Sequence, residues 1–127
     1  MDEHPNVALV RNYDEQMQAG NWDALMDVVA DDVEWHEIGR SEPIRGKQAL
    51  VERMQSAFGD AQVTGKTHDI VGNDDHVVML VDATATRGDE TFNYRTAEIL
   101  HIRDGKLTAR WAFSDDTARI MEFFGQG

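Results

Sequence analysis

The spacing of hydrophobic residues changes once along this chain of 127 residues. In the first half, apolar positions recur every three to four residues, which predicts helices over about 5–19, 21–29 and 47–58. A short alternating segment near 32–38 predicts a strand between the second and third helices. In the second half, alternation predicts strands near 62–71, 76–86, 92–103 and 107–114, followed by a short closing helix.

Helices that come before a run of strands are typical of the α+β class. The Asp104–Gly105 pair lies between two alternating segments and is a strong hairpin signal, so the last two strands are expected to be antiparallel neighbours. We therefore predict one α+β domain over residues 1–127, in which a cone-shaped, curved antiparallel sheet wraps around the N-terminal helices. Such a cone leaves a pocket between the helices and the concave face.

Two glutamates interrupt apolar strand faces, and they are the first candidates for chemistry. Alternation places Glu37 on the same side of its strand as Val33 and Trp35, and Glu98 on the same side as Leu100. Burial disfavours the charged form of a carboxylate, and this is one way in which a general base for neutral pH is prepared. A buried carboxylate without such a task needs a charged or hydrogen-bonding partner.

The strand predicted near 76–86 has two unlike faces. One face is wholly apolar: Val77, Met79, Val81 and Ala83. We expect this face to point outward and to be covered by a second subunit, giving a homodimer through the sheet that a charge at Val81 would break. The mixed face, which carries Leu80 and Asp82, is then expected to line the pocket.

Composition limits the partners. The chain has 24 acidic and 12 basic residues and a net charge of −12, which argues against nucleic acids and anionic membranes because both attract basic surfaces. There is no cysteine, and the histidines lack metal-ligand spacing, so we expect neither a metal nor a cofactor. No signal peptide and no apolar run of about 20 residues is visible, which predicts a cytoplasmic protein.

Four segments, in this order, are similar to a known group of proteins: Gly20–Leu25, Ala30–Val33, Ser41–Lys47 and the hairpin Ile102–Leu107. Together they resemble the nuclear transport factor 2-like superfamily, in particular its SnoaL-like and ketosteroid-isomerase-like branches. The resemblance covers nearly the whole chain. It implies the same cone-shaped fold and a hydrophobic cyclic molecule as the ligand.

The resemblance also implies roles for three residues. Tyr13 falls where the steroid isomerases have the tyrosine that donates to an oxyanion, and Glu37 falls where they have an aspartate base. Glu98 falls at the position of a second acid, which stays protonated and donates to the same oxyanion. On this interpretation Glu37 moves a proton α to a carbonyl, while Tyr13 and Glu98 hydrogen-bond the developing enolate.

Further positions complete the predicted pocket. Trp35 and Ala112 are expected to form part of its wall. Arg110 is expected to point inward, where it would pair with Glu37 or with Glu98. A paired glutamate is a static ion-pair partner and not a free base. If both glutamates are paired, the resemblance leaves a second hypothesis, a binding or dimeric interaction module without catalysis.

The limonene-epoxide-hydrolase branch offers a third activity. This chain resembles that branch at Asp82 and in the last hairpin. The three-residue site of that branch also contains an arginine and a second aspartate. The corresponding residues here are Leu80 and Ala112, so only one member of the site is present. The leading hypothesis therefore remains an isomerase or cyclase that acts on a steroid-like or polyketide-like molecule, and epoxide hydrolysis ranks below it.

Overall fold

A computed structural model describes residues 3–56 and 62–124. Its elements in chain order are α1 Pro5–Ala19, α2 Trp22–Asp27, β1 Val29–His36, β2 Ile44–Arg45, α3 Lys47–Ser56, β3 Gln62–Gly72, β4 His76–Arg87, β5 Glu90–Arg103, β6 Lys106–Ser114 and α4 Thr117–Phe124. The predicted α+β class is confirmed, with helices first and a run of long strands after them. Phe58, where the third helix was predicted to end, lies outside the described residues.

The six strands form one open sheet in the order β2-β1-β6-β5-β4-β3. Strands β3 to β6 are an antiparallel meander in which each strand pairs with the next. Strand β1 pairs with β6 in parallel, so that Trp35 lies beside Arg110. This parallel pair places the end of β1 beside the middle of β6.

Helix α1 covers the inner face of the sheet. Pro5 occupies its first turn, His4 Nδ1 accepts a hydrogen bond from the Asn6 backbone N–H at 3.1 Å, and Gly20 ends the helix with a φ of 71°. The helix buries Val7, Val10 and Tyr13. In the described parts of the chain, no helix is both long and apolar enough to span a bilayer.

Helix α2 and strand β1 differ from the prediction at their junction. The helix ends at Asp27, and Val29 is already the first residue of β1. Trp22, which was predicted to lie on the buried face of the helix, is 49% exposed. The backbone turns to the strand earlier than the apolar spacing indicated, and the strand also ends earlier, at His36. Glu37 therefore lies beyond the strand whose alternation was used to orient it.

The orientation predicted for β4 is wrong. Val77, Met79, Val81 and Ala83 are 0 to 9% exposed and belong to the core, while Leu80 is partly exposed and Asp82 is exposed on the opposite face. The physical reason is that the helices, and not a second subunit, cover the wholly apolar face. The face turned away from the helices, called the outer face below, is the mixed one.

The hydrophobic core consists of two clusters. The larger lies under α1 and α2 and reaches Val81 on β4 and Leu100 on β5. The smaller lies under α4 and contains Ala83 on β4 and Tyr94 on β5. Between them, the inward positions of β5 are the polar residues Thr96 and Glu98, so a polar zone separates the two apolar regions.

Candidate ligand site between the two hydrophobic clusters

Glu98 and Arg110 form an ion pair inside the cone. Arg110 Nε donates to Glu98 Oε1 at 3.1 Å, and a second guanidinium nitrogen lies 3.1 Å from the same oxygen. The side chains of Glu98 and Arg110 are 17% and 14% exposed. Both contacts go to Oε1, and no hydrogen bond to Oε2 is found among residues 3–56 and 62–124. One oxygen of the carboxylate is therefore left to accept from another group.

Arg110 is held in place from three directions. Besides its contacts with Glu98, it donates from Nη1 to the backbone carbonyl of His36 at 3.1 Å. Its guanidinium carbon lies 4.5 Å from the ring centroid of Trp35, a cation–π arrangement. The parallel pairing of β1 with β6 brings Trp35 and Arg110 side by side. Trp35 is 6% exposed and therefore supplies a buried aromatic face against the guanidinium of Arg110.

Tyr13 adds a phenol with an unused hydroxyl. The residue is 1% exposed, and its hydroxyl oxygen is buried without a hydrogen-bond partner in the described part of the chain. Burial raises the pKa of Tyr13, the negative charge of Glu98 raises it further, and Arg110 opposes the rise. The hydroxyl therefore stays protonated through neutral pH and is available as a donor. Tyr13, Glu98 and Arg110 are called the polar seam below.

Tyr94 is a neighbour of the seam that the sequence interpretation missed. It is 9% exposed and stacks on Phe92 with ring centroids 4.9 Å apart. Burial raises its pKa, as does the charge of Glu98, while Arg110 opposes the rise. The charges of Glu98 and Arg110 therefore shift the pKa of Tyr94 in the same directions as that of Tyr13. Its place on the inward face of β5, four residues before Glu98, was the available signal.

Glu37 pairs with an arginine outside the seam. After β1 the chain turns through Gly39, whose φ is 77°, and a side chain at that position would collide with Met121 of α4. In this turn Glu37 Oε2 accepts from Arg53 Nε of α3 at 2.9 Å. The side chains of Glu37 and Arg53 are 25% and 33% exposed. In the described residues no hydrogen bond or ion pair joins Glu37 to Tyr13, Glu98 or Arg110.

The remaining pocket predictions divide by sheet face. Ala112 is 7% exposed and pairs with Glu98 across β5 and β6, so it lies on the inner face beside the seam. The register of β4 and β5 places Leu80 and Asp82 on the outer face. This corrects the expectation that they line a pocket inside the cone. Asp82 is half exposed and lies 3.5 Å from Arg95. The single residue that linked this chain to epoxide hydrolysis therefore points away from the cone.

Metal-ligating side chains do not converge in the described ranges, where no group of three or more histidine, aspartate or glutamate residues is arranged to hold an ion. The polar groups of the seam are a phenol, a carboxylate and a guanidinium. Together they offer hydrogen-bond donors and one free carboxylate oxygen to an organic molecule.

Comparison with known proteins agrees with the fold. The profile of the SnoaL-like domain matches residues 10–110. Proteins with curated functions give no significant match to the chain. Among solved structures, Bal32a from a soil-derived mobile gene cassette has a TM-score of 0.85 at 19% identity, over 94% of this chain and 96% of that one.

Two further structures carry functional names. A candidate ketosteroid isomerase from Kribbella flavida has a TM-score of 0.70 at 24% identity, over 84% of this chain and 75% of that one. An epoxide hydrolase of the limonene type from M. tuberculosis has a TM-score of 0.70 at 20% identity, over 86% of this chain and 81% of that one. At these identities the likeness is one of fold, so function has to be argued from the site.

Proposed function

Since this chain belongs to the SnoaL-like domain family, we propose that it binds an apolar cyclic small molecule bearing a carbonyl group at the polar seam. The observation that carries the proposal is the buried Tyr13 hydroxyl without a partner. An unpaired buried hydroxyl costs about 1–3 kcal/mol, so a fold that keeps one has a use for it. A ligand carbonyl that accepts from this hydroxyl removes that cost.

The surroundings of the seam fit the rest of such a ligand. Tyr13 and Trp35 belong to the larger hydrophobic cluster, so the seam is continuous with apolar surface. Trp35 and Ala112 supply apolar surface next to the ion pair. A hydrophobic ring system gains from burial there, while one oxygen meets Tyr13. A ligand hydroxyl or enol would donate to Oε2 of Glu98.

The binding proposal can be tested with two ketones of different size, a 3-oxo steroid and 1-tetralone. We expect at least one of them to raise the melting temperature of the wild type and to leave that of Tyr13→Phe unchanged. Glu37→Gln is the matched control, and it is expected to respond as the wild type does. Equal stabilisation of the wild type and Tyr13→Phe would contradict the proposal.

A second candidate function is proton transfer α to the ligand carbonyl, the step shared by double-bond isomerisation and aldol-type cyclisation. The observation that favours it is the unused Oε2 of Glu98, in a carboxylate whose charge acts on Tyr13. Both glutamates are ion-paired, which favours binding without catalysis and makes proton transfer the second function. In this function Glu98 would take the α proton on Oε2, the oxygen that Arg110 does not contact, and Tyr13 would donate to the enolate oxygen until the proton returns to carbon. Glu37 could serve as the base, as the resemblance implies, only after leaving Arg53.

Exchange of the α protons of 1-tetralone for deuterium in D₂O, followed by NMR, separates these roles. If Glu98 is the base, Glu98→Gln slows the catalysed exchange by at least about 100-fold, and Glu37→Gln leaves it unchanged. The reverse pattern would assign the base to Glu37. Binding without catalysed exchange in the wild type would leave the chain as a binding module.

A further inference from the structure

The burial of the inward side chains of β5 varies along the strand. At one end Phe92 and Tyr94 are buried in the smaller hydrophobic cluster, and at the other end Leu100 is buried in the larger one. Thr96 and Glu98, which lie between these ends, are only partly buried. The cover over the inner face is therefore thinnest above Thr96 and Glu98, and a ligand that enters there lies along β5.

Tyr94 supplies a second phenol to such a ligand. The residue is 9% exposed, and its ring is held by stacking on Phe92 at 4.9 Å between centroids. No hydrogen bond to its hydroxyl is found within residues 3–56 and 62–124. Burial raises the pKa of Tyr94 and the charge of Glu98 raises it further, so the hydroxyl is protonated at neutral pH. It is a donor in a fixed ring without an acceptor.

The two phenols lie on different sides of the ion pair in the seam. Tyr13 belongs to the larger hydrophobic cluster and Tyr94 to the smaller one, and the inward positions Thr96 and Glu98 separate the clusters on β5. A ligand carbonyl that accepts from Tyr13 therefore leaves Tyr94 to meet another part of the same molecule.

The spacing along β5 limits the length of that molecule. Tyr94 and Glu98 are four residues apart on one strand, so their Cα atoms are separated by about 13 Å, at about 3.3 Å per residue. The side chains cover part of this distance. A fused-ring molecule, from a bicyclic ketone to a steroid, has the length to bridge the rest.

We propose that Tyr94 is a specificity-determining residue, whose hydroxyl donates to a second oxygen at the end of the ligand opposite the carbonyl. The inference rests on the proposed function and narrows its ligand class to fused-ring ketones that carry a second oxygen acceptor. A site with a buried donor for a ligand oxygen discriminates against the analogue that lacks this oxygen, because the donor then stays unpaired.

Two matched pairs of ketones test the role of Tyr94 when their dissociation constants are measured by calorimetry. The pairs are 5α-androstane-3,17-dione with 5α-androstan-3-one, and 6-methoxy-1-tetralone with 6-ethyl-1-tetralone. Only the first member of each pair has the second oxygen. For at least one pair, we expect the wild type to bind the first member at least about ten-fold more tightly. In Tyr94→Phe this ratio is expected to fall to about one, while the second member binds as it does to the wild type.

Two variants serve as controls. Thr96→Val removes the other hydroxyl from this part of the strand face at nearly constant shape, and it is expected to keep the wild-type ratio. Tyr13→Phe is expected to lose both members of a pair. Tyr94→Phe keeps the ring that stacks on Phe92, and its binding of the second member shows that it is folded. A ratio that falls in Thr96→Val and not in Tyr94→Phe would overturn the role of Tyr94.

Failure of this inference can be distinguished from failure of the proposed function. If the wild type binds ketones with a ratio of about one for both pairs, the role of Tyr94 is overturned and ketone binding at Tyr13 stands. If no member of either pair binds to the wild type, the proposed function fails, and the role of Tyr94 fails with it.

Discussion

Two ion pairs in this protein join the same chemical groups at nearly the same distance, but they lie in different surroundings. Glu37 meets Arg53 at 2.9 Å near the rim of the cone, with a quarter to a third of each side chain exposed. Glu98 meets Arg110 at 3.1 Å inside the cone, with about a sixth of each exposed. Water screens the first pair and is largely excluded from the second.

The comparison shows why we place the proposed ligand site at only one of the two pairs. At the rim, solvent can replace either partner, and no buried group is left without a hydrogen bond. Inside, Arg110 is fixed by Trp35 and by the His36 carbonyl, and the charge of Glu98 acts on a phenol that has no partner. For this reason the proton transfer proposed as the second function is assigned to Glu98 and not to Glu37.

The largest expected difference between the pairs is in stability. Glu98→Gln leaves Arg110 without a counter-charge in a place with little water, and we expect it to lower the free energy of unfolding by about 3 kcal/mol. Urea denaturation measures this. The double variant Glu98→Leu/Arg110→Met, which removes both charges, is expected to recover most of the loss. A cost below about 1 kcal/mol for Glu98→Gln would show that solvent reaches the interior pair as well.

Alkaline pH probes the same interior region through Tyr13. Its pKa is raised above the ordinary value of about 10, so above that pH the unfolded chain loses the proton first and the native state loses stability. Below about pH 10, the contribution of Tyr13 to the free energy of unfolding does not vary with pH. Between about pH 10 and 11, the free energy of unfolding should fall more steeply for the wild type than for Tyr13→Phe. The difference in slope should be up to about 1.4 kcal/mol per pH unit. Identical slopes would mean that Tyr13 ionises in the native state.

At neutral pH, Tyr13→Phe separates stability from binding. The substitution removes a buried hydroxyl that has no partner, so we expect the free energy of unfolding to rise by about 1 kcal/mol while ketone binding is lost. Chemical denaturation and ligand-dependent melting of the same sample measure both quantities. A destabilised Tyr13→Phe would indicate that the hydroxyl has a structural partner.

The rim pair should give the smallest effect. Glu37→Gln removes a screened ion pair, and we expect a change of less than about 1 kcal/mol in the free energy of unfolding, decreasing further with added salt. The measurement is a pair of urea titrations at low and high ionic strength. A loss as large as that of Glu98→Gln would abolish the distinction between the two regions.

The sequence predicted the placement of Glu98 and Arg110 better than that of Glu37. Strand β5 is long and regular, so alternation placed Glu98 inward correctly, and the same reasoning on β6 placed Arg110. Glu37 could not be placed in this way, because β1 ends at His36, one residue before Glu37, and the turn at Gly39 changes the direction of the chain. Its partner Arg53 is 16 residues away on a helix, beyond the reach of any local pattern.

The choice of faces on β4 needed information that a single strand does not contain. Both of its faces carry apolar residues, so alternation shows that Val81 and Leu80 point in opposite directions but not which of them meets the helices. The ring contacts of the outer face, which join His36, Trp111, His101 and His76, could not be predicted for a related reason. These residues are far apart in the sequence, and the sheet order β1-β6-β5-β4 brings them together.

The most direct test of the seam is an NMR spectrum of the protein labelled with ¹³C at the ζ carbon of tyrosine. The chain has two tyrosines, so two signals are expected, and Tyr13→Phe assigns them. On saturation with a cyclic ketone that stabilises the protein, we predict that the Tyr13 signal moves because its hydroxyl gains an acceptor. Saturation without any movement of the Tyr13 signal would contradict ligand binding at the polar seam.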